Sequence, residues 1–493
     1  MISFIISVIV LVAGYFIYGK VVAKICGEDP KRLTPVHTMA DGVDYVKLAS
    51  WKIFLIQFLN IAGLGPIFGA IMGVMFGPAA FLWIVLGTIF AGGVHDYLSG
   101  IMSIRQKGAS LPEIVGGQLG NKVKNIMRGF SLMLMVLVGA VFVYNPADLL
   151  SKLTPDWMNS LFWVGVILVY YIAATMLPID KLIGKLYPLF GFALLFMALG
   201  IGVMLFVNHE SVPEVWHQFY NHKPNPASNP IFPMMFVSIA CGAISGFHAT
   251  QSPMMARCLK NEAHARPIFY GAMVAEGLVA LIWAAAAIAF TGGYSELQDF
   301  IGTSTPAVLV NQLSKNWLGT FGGVLAILGV IAAPITSGDT ALRSARLIVA
   351  DFLNVSQKTI LKRFLVSLPV FVLCFVIMML PYDALWRYFA WSNQVLAVFT
   401  LWTASVWLAS QKRNYFIALL PALFMTCVTV SYIIFAPEGL QGIANNLLEI
   451  EIPLYFAVSA GCVVSVIFLY LFRKYVASRK DHLIQANPVD SFN

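Results

Sequence analysis

Thirteen apolar runs, each long enough to cross a bilayer, constrain what this chain can fold into more than any other feature. They lie at roughly 2–25, 51–74, 77–103, 125–145, 157–178, 184–208, 231–251, 266–291, 317–340, 358–380, 384–410, 412–435 and 450–473. Hydrocarbon offers no water to the backbone, so a spanning segment must pair its own N–H and C=O groups, as a helix does. The chain is 59% hydrophobic and only 11% charged, where soluble domains carry about 25% charged residues. The expectation is an all-α polytopic membrane protein with about 13 transmembrane helices. It forms one integral domain over 1–475 with a cytoplasmic tail at 476–493. The first run is followed rather than preceded by basic residues (Lys20, Lys24) and lacks a small-x-small cleavage pattern. It reads as a retained helix, not a signal peptide.

Basic residues set the orientation. Alternate connections between the runs, with the C-terminal tail, hold 27 of the 31 Lys and Arg residues; the other connections hold 4. The richer side is the cytoplasm. This puts the N-terminus outside and the C-terminus inside, in a bacterial inner or plasma membrane. A missed or invented helix would scramble the alternation beyond it. The net charge of +8 is thereby explained without nucleic acid. The six cysteines and eight histidines are dispersed, with no metal, redox or disulfide spacing and no H-E-x-x-H. No catalytic motif lies at depth, so no enzyme activity and no cofactor are expected. The partners are the bilayer and a small-molecule or peptide substrate, and no pattern sets an oligomeric state.

Two runs are poor helix material. Gly63-Leu64-Gly65-Pro66-Ile67-Phe68-Gly69 sits inside the second, where proline removes a donor and glycine weakens the helix. Such a break survives in a membrane only where protein buries it or a polar cavity adjoins it. It reads either as a mid-membrane site or as a kink for close helix packing. The seventh run carries Cys241-Gly242-Ala243-Ile244-Ser245-Gly246-Phe247-His248. Counted from opposite faces, Ser245 lies about 20 Å deep and Gly63 about 18 Å. The helices run in opposite directions, five spans apart, as an inverted repeat requires. Paired interrupted helices are the sequence pointer to a transporter site.

Several polar groups lie at depth. Glu276 is near the centre of the eighth run, a functional candidate or an interhelical hydrogen bond. His95 and Asp96 end the third run on the cytoplasmic side; they relay protons or tie the helix end to the next loop. Thr336, Ser337, Asp339 and Thr340 offer hard oxygen ligands, while Asp339 and Arg343 at i, i+4 suit an ion pair. His248 is a switch or a neutral core residue. Asn393 and Gln394 line a cavity or join helices. Among the connections, Ser110-Leu111-Pro112-Glu113 has a capping-box pattern and predicts a short interfacial helix. The stretch 209–230, with His209, His217 and His222, reads as an outer loop, and the tail after Tyr475 as disordered.

At this point the chain resembles the carbon starvation protein A family of transporters. The resemblance runs from about Pro35 to the twelfth run. It rests on Asp41-Gly42-Val43-Asp44-Tyr45, GLGPIFG with Gly77-Pro78 after it, AGGVHDYLSG (Ala91–Gly100), Gly108–Glu113, CGAISGFHATQSP (Cys241–Pro253), YGAMVAEG (Tyr270–Gly277) and PITSGDTALRSAR (Pro334–Arg346). The chain looks like a short member. It has Ile56-Gln57 where the family pattern has a glycine-histidine pair, so no role of that histidine carries over.

The resemblance implies the amino acid–polyamine–organocation superfamily and a LeuT-like five-plus-five inverted-repeat core with two broken helices. The repeats would be 51–208 and 231–410, with 1–25 added before them and 412–473 after. It implies a possible sodium-like site where Thr336, Ser337 and Thr340 face the backbone near Ala62 and Gly65. It also implies uptake of peptides in nutrient limitation, or proton-coupled uptake of pyruvate. The expected function is a secondary active importer. Protons are the first coupling ion and sodium the second, with Glu276, Asp96, His95 and Asp339 as proton carriers. Substrate would meet Gly63, Gly65, Pro66, Gly69, Ser245, Gly246, His248, Gln251, Asn393 and Gln394, because helix N-termini at the breaks suit a carboxylate. The rivals are an uncoupled facilitator or channel and a membrane nutrient sensor; no soluble stretch is long enough for a signalling domain.

Overall fold

The apolar runs fold as helices in a computed structural model that describes residues 1–177, 183–208, 212–380 and 382–485. Among the described residues there is no strand. Among the described residues, eight helices are long and apolar enough to cross a membrane, nine if one bent pair is taken as a single span. In chain order the elements are α1 (Ile2–Cys26), α2 (Ser50–Ile61), α3 (Gly65–Val74), α4 (Ala79–Arg105), α5 (Leu111–Leu119), α6 (Asn121–Leu153), α7 (Ser160–Met176) and α8 (Ile183–Val207). Then follow α9 (Ala240–Ala243), α10 (Gly246–Ala256), α11 (Gly271–Thr291), α12 (Pro306–Ile327), α13 (Ala333–Leu353), α14 (Ile360–Ile377), α15 (Tyr382–Ser410), α16 (Phe416–Phe435) and α17 (Leu454–Gln485).

The inner packing runs α13 along α6, α2 along α8 and α10 along α4, while α16 and α17 pair at one side. The half-helices α2 and α3 are bent by 54°. Pro66 and its flanking glycines form a wide turn over Gly65–Gly69. In the seventh run Ile244 and Ser245 are fully extended between α9 and α10. Both interruptions expected from sequence are therefore present.

They also touch. A Cβ on Gly65 would lie 2.2 Å from the Cβ of Cys241, and one on Gly69 would lie 2.9 Å from the Ser238 carbonyl oxygen. The whole of Gly63–Gly69 is buried in protein. For Gly65 and Gly69 the close-packing reading of the motif holds: α3 seats directly on α9.

Two local expectations are corrected. Ser110 stands at the N-cap of α5 but its side chain makes no capping bond. Glu113 turns to the next helix, where it pairs with Arg128 at 2.5 Å and with Lys124. A charge-assisted pair outcompetes the local capping bond. The helix α17 continues past Tyr475 to Gln485; residues 486–493, like His209, lie outside the described residues.

The loop before α2 is anchored by charge. Asp41 Oδ1 accepts the N–H groups of Val43, Asp44 and Tyr45 at 2.8–2.9 Å, turning the chain. This presents the buried Asp44 to Arg343 at 3.2 Å and Arg346 at 3.1 Å on α13. Arg343 thus pairs with Asp44 and not with Asp339, as its spacing had suggested. Burial pushes the Asp44 carboxyl up, but Arg346, Arg343 and Arg257 outweigh it and hold it below its ordinary value. A carboxyl depressed on folding stabilises the fold above its unfolded pKa of about 4, and that contribution is lost as pH falls through the folded value. We predict that Asp44→Asn, which strands two buried guanidinium groups, lowers stability by about 3–5 kcal/mol at neutral pH. In thermal unfolding of the detergent-solubilised protein, the gap between variant and parent should narrow below about pH 4.

Candidate functional site

Four fully buried side chains from three helices form a chain beside the second break. Asp96 on α4 lies at its middle. One carboxylate oxygen is 2.8 Å from His95 Nδ1 and the other is 2.9 Å from His248 Nδ1 on α10. On its far side, His248 Nε2 faces a Glu276 oxygen on α11 at 3.5 Å. That last contact is beyond a good hydrogen bond, and closing it needs a shift of about 0.7 Å.

This geometry changes the reading of Asp96. It lies nine residues before the end of α4 at Arg105, about 13 Å inside the helix end. Its partners are two imidazoles, not a cytoplasmic loop. The hydrogen bonds of Asp96 thus run to His95 and His248 and not to the loop after α4. His248, weighed as a switch or a core residue, is the link between Asp96 and Glu276.

Hydrogen-bond chemistry limits the protons this chain can hold. With Asp96 ionised, both Nδ1 atoms donate to it, and a neutral imidazole then has only an acceptor at Nε2. Between His248 Nε2 and Glu276 a favourable bond requires one proton, on either the imidazole or the carboxyl. His95 Nε2 and both Glu276 oxygens have no hydrogen-bond partner in this arrangement.

The break that places His248 is held by side chains from elsewhere. Asn393 Oδ1 on α15 accepts the Phe247 N–H at 2.6 Å and sits 3.0 Å from the Ser245 hydroxyl. Gln394 Nε2 donates to the Ile244 carbonyl at 3.1 Å, and Thr88 Oγ1 on α4 to the Gly242 carbonyl at 3.1 Å. Asn393 is thus the cap of α10, supplied by another helix, since Ser245 makes no side-chain cap. Of the two readings of these amides, the joining of helices is the one realised. Gly246 belongs to the same crossing: its Cβ would lie 2.4 Å from the Ala397 nitrogen.

The hydroxyl group of residues on α13 is divided. Ser337 donates to the carbonyls of Asn60 at 3.0 Å and Leu59 at 3.3 Å, one turn before the expected Ala62 and Gly65. Thr336 and Thr340 bond carbonyls of their own helix. Of the three expected ligands, Ser337 faces the first broken helix, while the hydroxyls of Thr336 and Thr340 are turned to their own helix. Asp339 accepts the hydroxyls of Tyr170 at 3.0 Å and of Tyr187; its other oxygen has no partner.

Sequence reading passed over Asn60, Tyr170 and Tyr187. Both amide atoms of Asn60 are buried without a partner, as are Gln57 Oε1 and Gln251 Oε1. They sit on α2 and α10, the half-helices on one side of the two breaks. An asparagine inside an apolar run was the available signal. Neither of two cavities of about 430 and 450 Å³ touches the breaks.

A polytopic helical bundle with two touching broken helices and a buried polar chain beside the second has the architecture of a membrane transporter. A family profile described as "Carbon starvation protein CstA" matches residues 1–164, 153–313 and 286–432. The chain belongs to that family. It is 44% identical over 349 residues to an uncharacterized membrane protein of Haemophilus influenzae, covering 61% of this chain and 94% of that one. It is 26% identical over 574 residues to the peptide transporter CstA of Bacillus subtilis, covering 94% of each. It is also 26% identical over 338 residues to the pyruvate/proton symporter BtsT of Escherichia coli, covering 56% of this chain and 47% of that one. The fold resembles the crystal structure of the Eremococcus coleocola manganese transporter, with a TM-score of 0.52 at 14% identity over 90% of this chain and 98% of that one. The apolar helices and these relatives make the protein a multi-pass bacterial membrane protein, and its named relatives are transporters rather than enzymes.

Two substitutions probe the contact between the breaks. Gly65→Ala places a methyl group on Cys241 and should cost about 1–3 kcal/mol. Adding Cys241→Gly should recover most of the loss in thermal stability, because the next atom, Cys241 Cα, is 3.5 Å away. Asn393→Ala should cost about 1–2 kcal/mol, the scale of a lost helix cap.

Proposed function

We propose that this protein is a secondary active, proton-coupled importer of peptides or small carboxylates such as pyruvate, serving uptake in nutrient limitation. The observation that carries the reading is the sealed chain His95–Asp96–His248–Glu276, anchored on a half-helix that a break sets free to move. A relative named as a peptide transporter and one named as a pyruvate/proton symporter support the substrate class. Both kinds of substrate carry a carboxylate, which suits the N-terminal end of α10.

The proposed topology has about 13 spans, with the N-terminus outside and the C-terminus cytoplasmic. The segments 51–208 and 231–410 form a five-plus-five inverted repeat. The meeting of the two breaks, in runs five spans apart, supports this arrangement. Substrate binds at the breaks around Ser245, Gly246 and Gln251, and the unpartnered Oε1 of Gln57 and amide of Asn60 join that set. The proton enters at Glu276. When α10 shifts enough to close the 3.5 Å gap, it passes to His248 Nε2. His248 then gives up its Nδ1 proton to Asp96, Asp96 releases it to water admitted when the site opens inward, and His248 returns to its starting tautomer by proton exchange with that water. Asp339, held by Tyr170 and Tyr187, is a second proton carrier between α13 and α7–α8.

Purified protein in proteoliposomes tests the reading, with radiolabelled pyruvate, dipeptides and tripeptides and a pH-sensitive dye inside. One proton carried with one monoanion moves no net charge, so current alone would not report it. An inward proton gradient should drive accumulation and acidify the lumen. Glu276→Gln keeps the shape but cannot release a proton, and should abolish accumulation while leaving substrate exchange. Unchanged accumulation in that variant removes Glu276 from coupling. Equilibration without accumulation by the parent protein defines a facilitator, and no uptake at all a sensor.

A further inference from the structure

We propose that an anionic phospholipid occupies a groove between α1, α2 and α11, headgroup toward the basic end and one acyl chain along α11. The groove encloses about 430 Å³. Tyr15, Trp51, Phe54, Val274 and Leu278 line its body, all apolar or aromatic. Gly271 opens it: a Cβ there would first meet the Tyr15 ring, at 3.4 Å.

One end differs from the rest. Ser50 and His264 line it and are joined at 2.8 Å. The Arg266 guanidinium lies 4.8 Å over the Tyr15 ring, and the Lys52 ammonium 5.5 Å over the Trp51 ring. Neither cation lines the groove itself, but each lies against a ring that does, beside Ser50 at the start of α2 and Pro267 just before α11. That is the pattern of a membrane interface. Glu28, which also accepts the Tyr97 hydroxyl at 2.8 Å, offsets part of the Arg266 charge, and Arg266 donates to the Tyr15 carbonyl at 3.5 Å. From Arg266 to Leu278 the wall runs about 18 Å along the helix, the direction of a lipid chain.

The chemistry selects the occupant. A free phosphate has no use for the apolar body. A zwitterionic lipid leaves the basic end uncompensated, whereas clustered basic side chains between spans hold anionic headgroups. The assignment to the inner leaflet follows the proposed orientation; the site itself does not depend on the transport reading. It lies on α11, the helix that carries Glu276.

Retention of dioleoyl phosphatidylglycerol and dioleoyl phosphatidylcholine by the full-length protein, compared by native mass spectrometry from detergent, tests the site. Phosphatidylglycerol should be held in preference by about fivefold or more for each effective cation. Lys52→Gln with Arg266→Gln should remove the preference. Gly271→Leu should fill the groove and lower retention of both lipids. Leu86→Trp alters the second groove, of about 450 Å³, and should change nothing. Equal retention of the two lipids by the parent protein overturns the proposal, as does an equal loss in Leu86→Trp and Gly271→Leu. If Gly271→Leu does not fold, the double variant, whose side chains are half-buried, decides: a surviving preference overturns the proposal.

Discussion

Backbone polar groups freed inside a membrane must find partners, and here that requirement organises the centre of the molecule. The extended residues Ile244 and Ser245 release groups that no helix satisfies. Asn393, Gln394 and Thr88 take them up, from helices that precede and follow the break in sequence. Ser337 performs the same service for Leu59 and Asn60 at the first break. Small residues then let the two interrupted helices seat on each other, with Gly65 on Cys241. An ordinary side chain at Gly65 would hold the half-helices apart and pull these partners out of reach.

The buried charges divide into two kinds by their surroundings. Asp44 is surrounded by guanidinium groups and holds a loop to α13; its electrostatics are satisfied and static. Asp96 and Glu276 instead share imidazoles, whose two nitrogens exchange donor and acceptor roles. Only the second arrangement can change its proton content without leaving a charge unpaired in a dry interior. Its loose joint, between His248 and Glu276, falls between two helices rather than within one.

Much of this was legible beforehand. The apolar runs and both breaks stood out, Glu276 and His248 had the wrong chemistry for their depth, and His95 and Asp96 showed as polar residues at the end of a run. What did not show was which partner each would find. Asp96 looked like a helix-end residue because the third run thins into polar sequence after it, yet α4 continues to Arg105. Arg343 looked like a partner for Asp339 because i, i+4 spacing favours it, yet two tyrosines reach Asp339 and a loop aspartate reaches Arg343. Ser110 and Glu113 had the spacing of a capping box, and a nearby arginine took the glutamate.

The sequence by itself determined that the chain is a helical membrane protein, which segments lie at depth, and where helices must break. Those properties follow from local chemistry: hydropathy over about 20 residues, proline without a donor, glycine without a Cβ. Only the tertiary structure decided that His95, Asp96, His248 and Glu276 form one chain, and that Asn393 caps a helix begun 147 residues earlier at Gly246. Such pairings are set by which helix faces meet in the bundle. That depends on packing among distant segments, and no spacing along the chain encodes it.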